Sequence, residues 1–249
     1  RARVGQAEEL DGTSHAINQV RATLKKVAGS GSRVLITGPA GVGKEVAARL
    51  LHGWSGRADA PFVTISAACM EPAHVEEELF GMEREGELVT AGLLERAHGG
   101  TLYLDEVADM PLTTQAKILR VLTDQSFTRV GGNRQVRVDV RFVSSTSRDL
   151  NDEIEQGRFR EDLFYRLNVV PVHLPSLSDR REDILPLVEH FAARFAAERR
   201  LPPPTFNDET IAALQGCDWP GNVRQLRNVI ERMLILSPDD PEGQIGIDM

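Results

Sequence analysis

The run RVLITGPAGVGKE at 33–45 constrains this chain more than any other stretch. A β-branched segment leads straight into a loop carrying Gly38, Gly41 and Gly43, and EVAARLLH follows with Val46, Ala47, Leu50 and Leu51 on one helical face. Strand, glycine loop and helix in that order turn the pattern G-x-x-x-x-G-K into a mechanism. Glycines let backbone N–H groups close around phosphate oxygens, the helix start adds positive potential, and a lysine at the end of the loop reaches the outer phosphates. Gly38, Pro39, Ala40, Gly41, Val42, Gly43, Lys44 and Glu45 are therefore the expected nucleotide-binding residues. The plain alternative is a glycine-rich turn with an exposed lysine. Glu45 stands where a Ser or Thr hydroxyl usually meets Mg²⁺, which shifts that task toward water and a carboxylate elsewhere.

TLYLDE at 101–106 offers the carboxylate. Apolar residues ending in Asp105 and Glu106 set two acids at the C-terminal edge of a buried strand, where open α/β sheets bind ligands. Asp105 is the expected metal residue, and Glu106 the group that orients and deprotonates an attacking water. An acidic pair after a strand can also be merely solvated. GRFREDLFYRL at 157–167 holds Arg158, Arg160 and Arg166. Arginine suits the charge of a transferring phosphoryl group and can come from a neighbouring subunit. A surface helix laced by ion pairs to Glu161 and Asp162 is the other reading of the same residues. Arg224, early in a helix after WPGNV, either touches nucleotide from a lid or is an ordinary exposed arginine.

Apolar periodicity fills in the rest. Ser14 is a candidate cap for a helix with Ile17, Val20, Leu24 and Val27 on one face. PFVTIS, RFVSST and NVVPVHL join the two runs above as five short strands, and FTRVGGNRQVRVDV reads as a hairpin around Gly131 and Gly132. PLTTQAKILRVL reads as a helix burying Leu112, Ala116, Leu119 and Leu122. Strands alternating with helices imply a five-stranded parallel sheet between helices. The texture turns all-helical after LPSLSDRRED. The expected division is an α/β nucleotide-binding core at 1–177, a helical lid at 178–237, and from 238 an acidic, proline-bearing linker toward a module not included. The opening RARVGQ, without methionine, likewise reads as a piece of a longer chain.

Composition narrows the classes. Charge is 29 − 37 = −8 over 249 residues, which makes the chain a poor nucleic-acid binder by itself. No apolar run approaches the roughly 18 residues of a membrane span, and no signal peptide is present, so a cytoplasmic, membrane-free setting is expected. Cys69 and Cys217, distant in sequence, are expected to be buried reduced thiols.

Taken together, GPAGVGKE, ELFG, GGTLYLDEV, GRFREDLFYRLNVV and WPGNVRQLRNVIER resemble the central AAA+ domain of bacterial enhancer-binding proteins, the activators of sigma-54 RNA polymerase, over roughly 4–236. Details of GPAGVGKEVAAR and the DDPEG tail are most similar to the nitrogen-response branch of that family. The resemblance implies an AAA+ P-loop NTPase that takes ATP or ADP with Mg²⁺. It makes Gly38 to Glu45 the Walker A motif and Asp105 with Glu106 the Walker B pair. Thr146 falls at sensor I, Arg160 and Arg166 on arginine fingers acting across a subunit interface, and Arg224 on sensor II. Glu45 is itself normal for the family. The implied partners are further copies of the chain in a nucleotide-dependent oligomer such as a hexameric ring, and RNA polymerase. DNA would be met through an absent C-terminal domain, and a sensor kinase through an absent receiver domain.

Three departures from the family pattern bear on function. After ELFG the family usually carries a Gly-Ala-Phe-Thr-Gly-Ala loop that contacts sigma-54. Here MEREGELVTAGLLER follows instead, and it reads as a hydrophilic stub with nothing for a core. Ser66 stands where an asparagine normally bonds the Walker B glutamate, and Ser147 stands where Asn or His is common. Both shorter side chains are expected to loosen Glu106. Two functions stay open: an ATPase, slow in turnover, whose cycle drives oligomerisation in a response-regulator transcription factor, and a nucleotide-responsive scaffold with little hydrolysis, acting with the housekeeping polymerase or as a repressor.

Overall fold

All five apolar runs become strands of one parallel sheet. The computed structural model describes residues 10–67, 72–199 and 204–236. In chain order the elements are α1 (His15–Ala28), β1 (Val34–Thr37), α2 (Lys44–Gly53), β2 (Phe62–Ser66), α3 (Pro72–Phe80), β3 (Met82–Arg84), β4 (Glu87–Thr90), α4 (Leu93–Arg96) and β5 (Thr101–Asp105). They continue with α5 (Leu112–Asp124), β6 (Ser126–Thr128), β7 (Gln135–Arg137), β8 (Arg141–Thr146), α6 (Leu150–Glu155), α7 (Glu161–Leu167), β9 (Val170–His173), α8 (Ile184–Arg199), α9 (Asp208–Gly216) and α10 (Asn222–Leu236).

Strand order is β2-β5-β8-β1-β9, with every neighbouring pair parallel. β8 thus lies between the strand that feeds the glycine loop and the strand that ends in Asp105. It is buried from Arg141 to Thr146, which explains its continuous β-branched and small composition. Its first residue, Arg141, is spent on structure: the guanidinium donates to the carbonyls of Val27, Ala28 and Ser32, closing the end of α1.

The chain divides into two compact units, the first built from 22–37 and 44–173, the second from 9–21, 38–43 and 174 onward. The first unit holds the sheet and a core centred on Leu79, Phe80, Leu94, Leu102, Ile118 and Phe142. The second has its own core of Leu177, Ile184, Val188, Trp219, Leu226 and Ile230, supplied by α8, α9 and α10. The glycine loop groups with the lid helices rather than with the sheet, a division that apolar periodicity had no means to register.

Several expectations need correcting. α5 buries Thr114, Gln115, Ile118, Val121 and Leu122, while Leu112 in its first turn is exposed. Its inner face is therefore rotated from the leucine stripe, because a polar residue, Gln115, takes a core position for its hydrogen bonds. Cys217 is exposed, at the end of α9; Cys69 and the linker from 238 lie outside the described residues. Ser14 does cap α1, accepting from the Ile17 amide at 3.3 Å. The hairpin around Gly131 and Gly132 forms from β6 and β7. No helix among the described residues is long and apolar enough to cross a membrane.

Candidate functional site

The glycine loop is held open by backbone geometry that only glycine adopts cheaply. Gly38, Gly41 and Gly43 have φ of 150°, 79° and 107°. A Cβ on Gly38 would lie 2.5 Å from the Leu174 carbonyl oxygen, and one on Gly41 would lie 2.3 Å from that of Gly221. Side chains of the second unit fasten this loop. Asn222 donates through Nδ2 to the Ala40 carbonyl at 2.9 Å and accepts through Oδ1 from the Leu177 amide at 2.8 Å. The Arg224 amide donates to the Gly41 carbonyl at 3.1 Å, and its side chain is exposed. Arg180, fully buried, donates to the Val42 carbonyl at 3.1 Å. Beside it, Asp183 accepts from the Thr13 and Ser14 amides and the Ser14 hydroxyl at 2.6–2.7 Å. Asn222, the first residue of α10, is thus a brace of the loop. Its φ of 51° is the signature of a side chain chosen for its bonds.

Lys44 and the acidic pair meet in the first unit. Lys44 opens α2, is buried, and its Nζ lies 3.0 Å from Glu106 Oε1. Glu106 sits at φ 53° just past the end of β5, a strained position of the kind found where a side chain is aimed for a task. Its other oxygen, Oε2, accepts from the Ser147 amide at 2.8 Å and the Ser147 hydroxyl at 2.9 Å. Burial pushes the Glu106 carboxyl upward, but the Ser147 amide and hydroxyl and the Lys44 ammonium outweigh it and hold it below the usual carboxylate range. The group is a carboxylate at neutral pH, the state a base requires.

Asp105 is gripped from the strand side. Its Oδ1 lies 2.6 Å from the Ser145 hydroxyl and 2.9 Å from the Tyr103 hydroxyl, which are themselves 2.8 Å apart. Tyr103 is fully buried, and burial, followed by the nearby Asp105 charge, pushes its phenol well above the ordinary value.

Thr146, expected at sensor I, bonds within its own turn rather than to the acids. Its Oγ1 accepts from the Arg148 amide at 3.1 Å and faces the Arg148 carbonyl at 3.3 Å, closing a local turn. Side chains alternate along a strand, so Ser145 and Ser147 point toward the acids while Thr146 points away. Ser147 is therefore the residue that meets Glu106, and two bonds hold the glutamate rather than loosening it. Ser66 pairs in register with Asp105.

The other predicted residues are spread more widely. Glu45 is half-exposed and turned to Arg49, 2.6 Å away along α2. Arg160 forms a forked pair with Asp162 at 3.0 and 2.7 Å, and Arg158 is paired with Glu153. Arg166 is exposed on α7, with no side-chain ion pair among the described residues. Gln115, missed in the sequence, fixes this stretch: it is fully buried, donates to the Met110 and Arg158 carbonyls and accepts from the Arg160 amide.

The segment at 81–96 is no featureless stub. β3 and β4 form a hairpin with a two-residue turn, Glu85 and Gly86, at φ of 51° and 85°, as such turns require. Glu83 is buried against Arg129, whose guanidinium also forks onto Glu95 at 2.9 and 2.8 Å. Backbone bonds between Glu83 and Val130 and between Val130 and Gly81 complete the fastening. β4 is exposed along its length, with Leu88 and Val89 in solvent. The charges read as solvation were in part a clamp.

Among the described residues no group of three or more His, Cys, Asp or Glu side chains is placed to hold a metal ion. Asp105 beside Glu106 offers instead the one or two carboxylates that suffice for Mg²⁺ when phosphate oxygens and water complete its shell. The donor set fits.

Comparison with known proteins shows the family and the fold. Residues 10–173 match the Sigma-54 interaction domain, and residues 178–248 match an AAA+ ATPase lid domain. The nitrogen assimilation regulatory protein NtrX of Azorhizobium caulinodans is 51% identical over 245 residues, covering 98% of this chain and 54% of that protein. The alginate biosynthesis regulator AlgB of Pseudomonas syringae pv. tomato is 45% identical, over 93% of this chain and 52% of that one. NtrX from Brucella abortus, crystallised in complex with ADP, superposes with a TM-score of 0.92 at 53% identity, over 99% of this chain and 56% of that one. The same protein in complex with ATP gives 0.92 at 54% identity, over 96% of this chain and 53% of that one. The chain spans about half the length of the curated relatives it matches.

Proposed function

This chain belongs to the Sigma-54 interaction domain family, and from that premise we propose that it is the ATP-binding AAA+ domain of an NtrX-like response-regulator transcription factor that hydrolyses ATP slowly. The supporting observation is the carboxylate of Glu106, shared between Lys44 on one oxygen and Ser147 on the other. Gly38 to Gly43 present backbone N–H groups to the phosphates, and Lys44 leaves Glu106 for the outer phosphate. That departure frees Oε1 to take a proton from the attacking water, while Ser147 keeps Oε2 anchored. A base that is uncovered only when a triphosphate draws the lysine away is idle in the empty site. Asp105 would hold Mg²⁺ through its water shell, and the ion, when bound, would supply positive charge beside the phosphate oxygens. Arg224 contacts the phosphates from the lid; Arg160 and Arg166 act on the nucleotide of a neighbouring copy, for which Arg160 exchanges Asp162 for phosphate.

The division into core at 1–177, lid at 178–237 and linker from 238 belongs to the same proposal. So do the partners: further copies of the chain in a ring, RNA polymerase, DNA through a C-terminal domain, and a sensor kinase through a receiver domain. Phosphate release at saturating MgATP, followed against protein concentration, tests it. A steep rise, lost in Lys44→Ala, is expected; a flat zero in a protein that binds nucleotide refutes hydrolysis.

A specific observation favours a second reading. The hairpin at 82–90 is clamped by Arg129 and lacks a phenylalanine at its tip, so it makes a poor lever on sigma-54. On that reading nucleotide state sets oligomer state, and the DNA-binding module regulates through the housekeeping polymerase or by repression. Co-elution with sigma-54 in the presence of a transition-state analogue would rule it out.

A further inference from the structure

We propose that Ser145 and Tyr103 are positioning residues for Asp105: two buried hydroxyls occupy Oδ1 of the carboxylate and leave Oδ2 as the oxygen for the Mg²⁺ shell. The proposal rests on the MgATP reading above and deepens it.

The geometry is a relay. Ser145 Oγ donates to Asp105 Oδ1 at 2.6 Å and takes the Tyr103 hydroxyl at 2.8 Å as its own donor. The Glu106 amide also points at this oxygen, at 3.4 Å. One serine on β8 therefore touches the side chain of one acid and the backbone of the next. Tyr103 can also reach Oδ1 directly, at 2.9 Å, so either hydroxyl stands in for the other.

Structure alone gives these hydroxyls no reason to be there. Both residues are fully buried, and burying a polar group costs free energy unless its bonds repay it. Phenylalanine and alanine would fill the same space, and replacing both partners of a buried hydrogen bond with apolar groups is often nearly neutral. What the pair supplies that an apolar pair does not is an Asp105 fixed by its Oδ1. Ser144 gives the contrast: it points to the other face of β8, and its buried hydroxyl has no hydrogen-bond partner among the described residues.

Outer-shell partners of metal-binding groups typically change affinity on the order of 10–100-fold when removed. The redundancy here sets the pattern. Ser145→Ala and Tyr103→Phe should each lower the Mg²⁺-dependent gain in nucleotide affinity by no more than about twofold, and the double variant by about tenfold or more, well beyond the roughly fourfold product of the single losses. The assay is titration of the protein with fluorescently labelled ADP, once with Mg²⁺ and once with EDTA, with thermal melts to verify folding and Ser144→Ala as a control expected to match the parent. Affinity in EDTA should stay at the parent value throughout. The proposal is overturned if the double variant keeps the parent's Mg²⁺ gain, if affinities with and without Mg²⁺ fall together, or if the double loss merely equals the product of the single ones. A parent that binds no labelled ADP would instead sink the nucleotide reading underneath, so the two failures are distinguishable.

Discussion

Glu106→Gln should tighten nucleotide binding while ending hydrolysis. In the structure the Lys44 ammonium, 6% exposed, is held 3.0 Å from a Glu106 side chain that is 20% exposed. Exposed ion pairs contribute up to about 1 kcal/mol, and hydrogen bonds to charged groups about 1.5–3 kcal/mol. A pair with this burial falls near 1–2 kcal/mol, and the phosphate must displace it before it can claim the lysine. Removing the competing charge therefore returns about 5–30-fold in affinity. The same change sets a neutral amide in place of a carboxylate beside the buried Lys44 ammonium, so the nucleotide-free form should melt lower, and saturating nucleotide should restore most of the loss. The introduced glutamine still accepts from Ser147 through its amide oxygen, so position is kept while the base is gone. Labelled-nucleotide titration and thermal melts with and without nucleotide read both effects, and phosphate release reads the third. A folded variant that binds no tighter than the parent would refute the competition between Glu106 and phosphate for Lys44. Parent-rate phosphate release would refute Glu106 as the base.

Gly41→Ala meets the Gly221 carbonyl and a left-handed backbone together, for roughly 3 kcal/mol of destabilisation in urea melts and loss of nucleotide binding. Gly86→Ala, with φ 85° but open space, should cost only about 1 kcal/mol and leave binding intact. Asn222→Ala strands the Leu177 amide and the Ala40 carbonyl and forces alanine to positive φ, for about 3–4 kcal/mol, of which Asn222→Gly should recover about 1. Equal losses in both would remove backbone strain from the account. Glu95 is held below the usual range, first by its hydrogen bond to Arg129 and against the effect of burial. A depressed carboxyl stabilises fully above the unfolded value of about 4.3 and loses this as pH falls through the folded value. Melting temperature from pH 7 to 3 should therefore be level and then fall below about pH 5, and Glu95→Gln should lower the neutral value and flatten the acid slope.

The hairpin at 82–90 bears on how such a domain transmits its nucleotide state. A lever must cost little to move. Here β3 is tied to Val130 by two backbone bonds, and Arg129 bridges Glu83 and Glu95 in a setting that is 14% exposed for the arginine. Breaking one partner of such a buried network typically costs about 3–5 kcal/mol, a large share of what one hydrolysis step makes available. The exposed part, β4, pairs with β3 and faces solvent at all four of its residues. On the proposed mechanism, motion on hydrolysis falls instead to the groups that would change partner at the site itself, Lys44 from Glu106 and Arg160 from Asp162.

Much of the architecture was legible because burial writes itself as periodicity. Five apolar runs predicted five strands, and the alternation with helices predicted a parallel sheet. Lys44, Asp105 and Glu106 were legible for a different reason: loop, strand edge and residue type together leave little other chemistry. What periodicity cannot carry is direction at the end of an element. On β8 the sequence Ser145-Thr146-Ser147 offers three hydroxyls in a row, and only the phase of the strand decides which two reach the acids. One residue of phase exchanged Thr146 for Ser147, and with it the expectation of a loosened glutamate for a doubly held one. Gln115 and Asn222 escaped for a related reason. Each is a polar residue at a position that a leucine stripe or a cap rule would explain, and their work lies in backbone groups far away in sequence, Arg160 and Ala40. Such bonds leave no local pattern. The only sequence trace available was negative: an amide where the helical face called for an apolar side chain, which marks a buried polar group whose partners must be looked for elsewhere in the fold.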